Sequence, residues 1–241
     1  MTKATTVSLD DKPQYFGKDL EAMSFARNYH EWILAECAPF LGRSVAEVGA
    51  GVGSFSSLIL GAGISSLAAF EPSENMFPVL KESLSGDPRA EAINDFFRGK
   101  SFGQEFDSIL YINVLEHIED HATELGHVRD ALKSGGHALI FVPALPWLYS
   151  NLDRQVGHFR RYIKKDLIAL VEQAGLSVVK ARYFDVAGVI PWYVNFVLLK
   201  NSISSGSVSL YDRLVVPIMR RLEGLATPPI GKNLLLVAKK H

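Results

Sequence analysis

Short apolar, β-branched runs alternate with segments of helical spacing along most of the chain, and the two periods separate strands from helices. Ser44–Val48, Ser66–Phe70, Arg89–Ile93, Phe106–Ile112 and Gly136–Val142 read as strands. Between them lie helical patterns that begin at Ser54 (Phe55, Leu58, Ile59) and span Asn75–Leu84 and Ala122–Leu132. Ahead of the first strand, Asp19–Phe40 carries apolar residues at Met23, Phe25, Ala26, Trp32, Ile33, Leu34 and Ala38 and is closed by Gly42. Strands joined by crossover helices imply an α/β fold with a doubly wound, mostly parallel sheet and a ligand at the carboxyl ends of its strands.

The pattern changes in the last third. Helix Lys165–Ala174 leads through Gly175 into strand Ser177–Phe184, but the final apolar strand, Asn233–Lys239, follows only after residues 185–232. That insertion holds the apolar run Val186–Leu199, a helical pattern over Val208–Leu225 and the turn Pro228-Pro229-Ile230-Gly231. The apolar run is shorter than the roughly 20 residues a spanning helix needs and is interrupted by Gly188 and Pro191. It is expected to cap a pocket without stable insertion into a membrane; interfacial membrane contact is the alternative.

With 241 residues, 48% hydrophobic and 21% charged, the chain supplies one core, so residues 1–241 are expected to form a single domain. Residues 1–42 would be a helical lid on it and 185–232 a helical cap. A net charge of −1 lacks the basic signature of a nucleic-acid partner. The single Cys37 excludes an internal disulfide framework, and the polar start of the chain has no signal-peptide core; both point to a cytoplasmic protein. A homodimer stays open.

The chemistry concentrates at Val45-Ala46-Glu47-Val48-Gly49-Ala50-Gly51-Val52-Gly53-Ser54-Phe55, where a strand ends in three alternating glycines and a helix begins. Glycine admits positive φ and lets a ligand lie against bare peptide. Dinucleotides and S-adenosylmethionine both use such a turn. The dinucleotide pattern needs its third glycine at position 54, which here is serine. Glu47 would also repel a pyrophosphate and attract an ammonium and a sulfonium. Glu71, closing Ala68-Ala69-Phe70-Glu71-Pro72, suits the ribose hydroxyls of either cofactor.

These residues resemble the class I S-adenosylmethionine-dependent methyltransferases, whose Glu/Asp-x-Gly-x-Gly-x-Gly loop matches Glu47–Gly53. The likeness continues through Glu71, through Phe106-Asp107-Ser108-Ile109-Leu110-Tyr111-Ile112-Asn113-Val114-Leu115-Glu116-His117-Ile118, and through Leu132-Lys133-Ser134-Gly135-Gly136. Four motifs in order over residues 40–145 are more specific than any one. The resemblance implies a Rossmann-like sheet of seven strands with a reversed last pair, S-adenosyl-L-methionine as cofactor and S-adenosyl-L-homocysteine as product. The cofactor set it implies is Glu47, Gly49, Ala50, Gly51, Gly53, Glu71, Pro72, Met76, Asn113 and Val114. The third-strand exit matches more loosely and adds Asn94, Asp95 and Phe96; a plain turn is the alternative for Asn94 and Asp95, and packing for Phe96. The run Asp153-Arg154-Gln155-Val156-Gly157-His158-Phe159-Arg160-Arg161-Tyr162 resembles a bacterial subgroup.

The expected reaction is methyl transfer to O, N or C of a small-molecule acceptor. His117 and His158 are the candidate bases, His158 with Asp153 as its orienting carboxylate. Tyr29, His158, Arg160, Tyr162 and Trp192 are the candidate acceptor contacts. No metal is expected, with Glu116 and His117 as the alternative ligand pair. The competing readings are an NAD-dependent oxidoreductase and a non-catalytic, cofactor-binding or membrane-associated partner protein.

Overall fold

The computed structural model describes residues 26–97, 105–201 and 205–241. Residues 1–25 of the expected lid lie outside them. Seven strands form one sheet: β1 (Ser44–Val48), β2 (Ser66–Phe70), β3 (Ala90–Ile93), β4 (Phe106–Ile112), β5 (Leu132–Pro143), β6 (Ser177–Phe184) and β7 (Asn233–Lys239), in the order β3-β2-β1-β4-β5-β7-β6. The pairs from β3 to β5 are parallel, while β7 runs antiparallel to both β5 and β6. The order reverses beside β1, so the switch point falls between β1 and β4, where their carboxyl ends leave a crevice.

Period-2 alternation divides the core between the two faces of the sheet. Ala46, Ile109, Ile140 and Leu236 pack on one side. Val45, Leu110, Leu139 and Val237 pack on the other, against Trp32 and Ile33 of α1 (Arg27–Cys37). The expected helix to Phe40 ends as α-helix at Cys37 and closes in a 3₁₀ turn over Ala38–Phe40, where Pro39 cannot donate to the helical ladder. Helices α2 (Ser54–Gly61), α3 (Phe77–Leu84) and α4 (His121–Ala131) fall within a few residues of the expected spans. Two further helices are α5 (Asn151–Gln155) and α6 (Lys164–Gln173).

The insertion opens with α7 (Val189–Trp192), which passes into a π-helical turn at Tyr193–Leu198. The pattern over Val208–Leu225 resolves into α8 (Ser205–Leu214) and α9 (Val216–Leu225). Pro217 removes one backbone donor there, yet the rod continues: Val215 N–H donates to Tyr211 O at 2.9 Å and Met219 N–H to Val215 O at 3.0 Å. Among the described residues no helix is long and apolar enough to cross a membrane.

Buried carboxylates hold the insertion to the sheet. Asp212 accepts the backbone N–H of Asn28 at 3.0 Å and of Tyr29 at 2.8 Å, in the first turn of α1. Glu223 accepts those of Asp185 at 3.2 Å and Val186 at 2.8 Å, where the chain leaves β6. An orphaned buried donor costs about 1–3 kcal/mol. Asp212→Ala strands two of them at once, so chemical denaturation of that variant is expected to show a loss of at least about 1–3 kcal/mol.

Candidate active site

A cavity of about 660 Å³ opens at the carboxyl ends of β1, β2 and β4. Its floor is the glycine turn. Gly49, Gly51 and Gly53 have φ of 70°, 59° and 86°, values that favour glycine. The N–H groups of Gly49 and Ala50 both donate to Phe70 O at 2.9 Å, and Glu71 accepts from Gly51 N–H and Ser73 N–H, each at 2.8 Å. The turn is thereby stitched to the exit of β2. A Cβ on Gly49 would lie 2.5 Å from Val114 Cγ2, so the loop after β4 closes directly over the turn.

Glu47 is buried at the mouth of this turn and takes a hydrogen bond from Ser56 Oγ. Burial, reinforced by the nearby Glu71 charge, pushes its carboxyl up to about 8 against the Ser56 bond. A buried carboxyl held near neutrality needs a cation to ionise fully. Pro72, Met76, Asp95, Phe96, Asn113 and Val114 share the same wall. Asn113 adopts φ of 55°, which asparagine tolerates better than most side chains.

A second group of side chains lines the same cavity. Asp153 Oδ1 lies 2.8 Å from His158 Nδ1, and Asp153 also takes Arg161 Nε at 2.9 Å and both Ser150 donors at 2.8 Å. Burial works to raise Asp153, but the bonds from His158, Ser150 and Arg161, with the Arg161 charge, hold it at about 2. His158 Nε2 stands 3.8 Å from Glu116 Oε1, and the His117 and His158 rings meet edge to face at 4.6 Å. Burial, with the neighbouring His158, pushes His117 down to about 4. Glu116 is fully buried and pushed up to about 7, and neither of its oxygens has a hydrogen-bond partner. Ligand atoms of Glu116, His117 and His158 all lie within 4.8 Å of one another, the closest approach to a metal-ligand set among the described residues.

The cavity thus gathers Glu47, Gly49, Ala50, Gly51, Glu71, the wall residues named above, His117, His158, Tyr29 and Trp192. Four expected residues fall off its wall, each for a visible reason. Gly53 packs against α3, where a Cβ would meet Ser83 Oγ at 2.4 Å. Asn94 donates to Glu71 O at 2.9 Å and so braces the β2 exit. Arg160 spends its guanidinium on the carbonyls of Ile118 and Glu119, at 2.6 and 2.9 Å. Tyr162 bonds Leu115 O and His121, at 3.2 and 2.9 Å. Arg161, beside it, faces the cavity, paired with Asp153 and stacked 4.5 Å over Trp192.

Lys232 and Asn233 also line the cavity, Lys232 over the Tyr29 ring at 5.0 Å and Asn233 accepting from Tyr29 OH at 3.1 Å. Neither sits in a motif. Their only signal is position, at the turn into the last strand.

The methyltransferase-domain family matches residues 20–181. The chain belongs to that family and is an S-adenosylmethionine-dependent methyltransferase. Among curated proteins it is similar to a ubiquinone biosynthesis O-methyltransferase of Ruegeria sp. (strain TM1040), 29% identical over 194 residues and covering 72% of each chain. The fold matches an S-adenosylmethionine-dependent methyltransferase of Archaeoglobus fulgidus, with a TM-score of 0.62, 19% identity and coverage of 92% of this chain and 99% of the other. It also matches Haemonchus contortus phosphoethanolamine N-methyltransferase 2 bound to phosphomonomethylethanolamine and S-adenosylhomocysteine, with a TM-score of 0.63, 15% identity, and coverage of 95% and 59%.

The glycines separate two roles. Gly53→Ala is expected to cost about 1–2 kcal/mol in stability from its left-handed backbone while the folded protein keeps its affinity for S-adenosylhomocysteine. Gly51→Ala costs a similar amount and weakens binding as well. Denaturation and titration calorimetry on the two variants distinguish them.

Proposed function

We propose that the protein methylates a hydroxyl oxygen of a small-molecule acceptor, with His158 as the base. The observation that carries the reading is the Asp153–His158 contact of 2.8 Å on the wall of the cavity that the glycine turn also lines. A carboxylate on Nδ1 fixes the tautomer with that proton in place and leaves Nε2 to accept one. The O-methyltransferase relative supports an oxygen acceptor.

The residues present fit the cofactor. Glu47 would take its ammonium, Glu71 the ribose hydroxyls, Asp95 and Phe96 the adenine, and the bare peptide of Gly49–Gly51 would lie along it. When bound, S-adenosylmethionine supplies an electrophilic methyl group on a positive sulfur. His158 Nε2 would take the acceptor's hydroxyl proton as the methyl group passes from sulfur to that oxygen, the methyl–sulfur bond breaking to leave the neutral thioether of S-adenosylhomocysteine, and Asp153 would stabilise the imidazolium. Tyr29, Trp192 and Arg161 form the wall that orients the acceptor and keeps water out.

A second reading of the acceptor side has its own observation, the unpartnered oxygens of Glu116. Glu116, His117 and His158 offer one carboxylate and two imidazoles, a donor set suited to a divalent transition metal. Such an ion would supply Lewis acidity towards the acceptor oxygen. Loss of turnover on chelation, restored by a divalent metal, would favour this reading over a free His158 base.

His158→Asn is expected to lower turnover by roughly 10²–10⁴-fold with hydroxyl acceptors and to leave S-adenosylhomocysteine binding intact. Unchanged turnover would remove His158 from the chemistry.

Glu47 gives a pH signature. Its folded carboxyl holds a proton to about pH 8, whereas the reference value is 4.5. The folded state therefore binds more protons between those values, and stability falls as pH rises through that window. Glu47→Gln should flatten this fall. Pairing with an ammonium ionises the carboxyl, so ligand binding at pH 7 releases a proton, seen in calorimetry as an enthalpy that depends on the buffer. The Gln variant loses that dependence.

A further inference from the structure

The insertion places its charges in an unusual way. Over residues 185–231 the sequence has three acids, Asp185, Asp212 and Glu223, and four cations, Lys200, Arg213, Arg220 and Arg221. All three acids are buried and all four cations are exposed. Asp212 and Glu223 are consumed in holding the insertion to α1 and to the β6 exit, and Asp185 accepts from Gly188 N–H and Tyr211 OH and pairs with Lys232. Outward, this part of the protein presents positive charge alone.

The same surface is apolar. Leu210, Leu214, Ile218, Leu222 and Leu225 are all exposed, from 53% for Leu222 to 87% for Leu225. Their spacing of four, four, four and three puts them on one stripe of the α8–α9 rod, about 22 Å long at 1.5 Å per residue. The opposite side of the rod carries Asp212, Val216 and Glu223 into the protein. Helical geometry sets Arg213 and Arg221 along the flank of the leucine stripe, three or four residues from Leu210, Ile218 and Leu225, and turns Arg220 toward the side of Val216 and Glu223. An ordinary surface helix reverses this arrangement, with its leucines inward and its acids in solvent.

We propose that the α8–α9 face is a docking surface for an anionic lipid bilayer. The leucine stripe enters the boundary between headgroups and acyl chains, and the arginines reach lipid phosphates from its flank, their stems lying along apolar surface. Charge decides between this occupant and a second copy of the chain. An isologous contact would set the arginines of one copy near those of the other, with no exposed acid in residues 185–231 to answer them. The rod lies in the interfacial plane and does not span. Its inner side, with Tyr211 and Val216, walls a second cavity of about 410 Å³ that shares Tyr29, Trp192 and Lys232 with the cofactor cavity. The proposal rests on no step of methyl transfer.

The test is cosedimentation of the full chain with phosphatidylcholine vesicles and with vesicles that also contain phosphatidylglycerol. Binding is expected to the anionic vesicles, to weaken with salt, and to be lost in Ile218→Asp/Leu222→Asp. Arg213→Gln and Arg221→Gln should each lower partitioning about fivefold, as one cation near an anionic surface would. S-adenosylhomocysteine affinity, unchanged in each variant, shows that the fold and the cofactor site remain. Absence of binding to anionic vesicles, equal binding to both vesicle types, or undiminished binding by the aspartate variant would overturn the proposal. So would a solution dimer that the aspartate variant dissociates, since the face would then join two copies of the chain.

Discussion

The Glu71 carboxylate fixes the shape of the glycine turn by accepting Gly51 N–H with one oxygen and Ser73 N–H with the other. Three residues in the left-handed region within five positions would not hold a single conformation by themselves. The buried acid at the end of β2 supplies the constraint, helped by the double acceptance of Gly49 and Ala50 N–H at Phe70 O. Because β1 and β2 are parallel neighbours in register from Ser44 and Ser66 onward, Glu71 arrives at the height of the turn. The sheet register is thus what makes the site.

The Asp153 and Glu116 side of the cavity rests on a different economy of charge. Asp153 is a buried acid with five donors to satisfy it, held by the capping box of α5 and by Arg161. Glu116, on the other side of the His158 ring, has none, and its carboxyl is pushed up to about 7 in consequence of burial. One carboxylate serves as an anchor and the other is left to interact with whatever enters the cavity. The insertion follows the anchoring pattern, with Asp212 and Glu223 spent on backbone donors and the cations turned outward.

The strands were legible because apolar runs of five to eight residues between helical patterns admit few other readings, and six of the seven expected spans lie within a residue of the observed ones; β5 alone extends further toward its start. The reversed last pair came from family resemblance, since no local property of Ser177–Phe184 or Asn233–Lys239 fixes direction. Residues tied to a motif, such as Glu47 and Glu71, lie on the cavity wall. Residues chosen by chemical type alone fared differently. Arg160 and Arg161 are adjacent in sequence, yet Arg160 is tied up by the carbonyls of Ile118 and Glu119 and only Arg161 lines the cavity. Lys232 and Asn233 reach the site only through the antiparallel return of β7, a tertiary fact with no local pattern.

The central claim is that the turn tied by Glu71 is the cofactor site. Titration calorimetry with S-adenosylhomocysteine on the native chain and on Glu71→Ala tests it most directly, with circular dichroism to establish that the variant is folded. The native chain should bind at one site, and the variant should bind roughly a hundredfold more weakly, about the value of a lost pair of hydrogen bonds to a charged group. Undiminished binding by a folded Glu71→Ala protein would contradict the account.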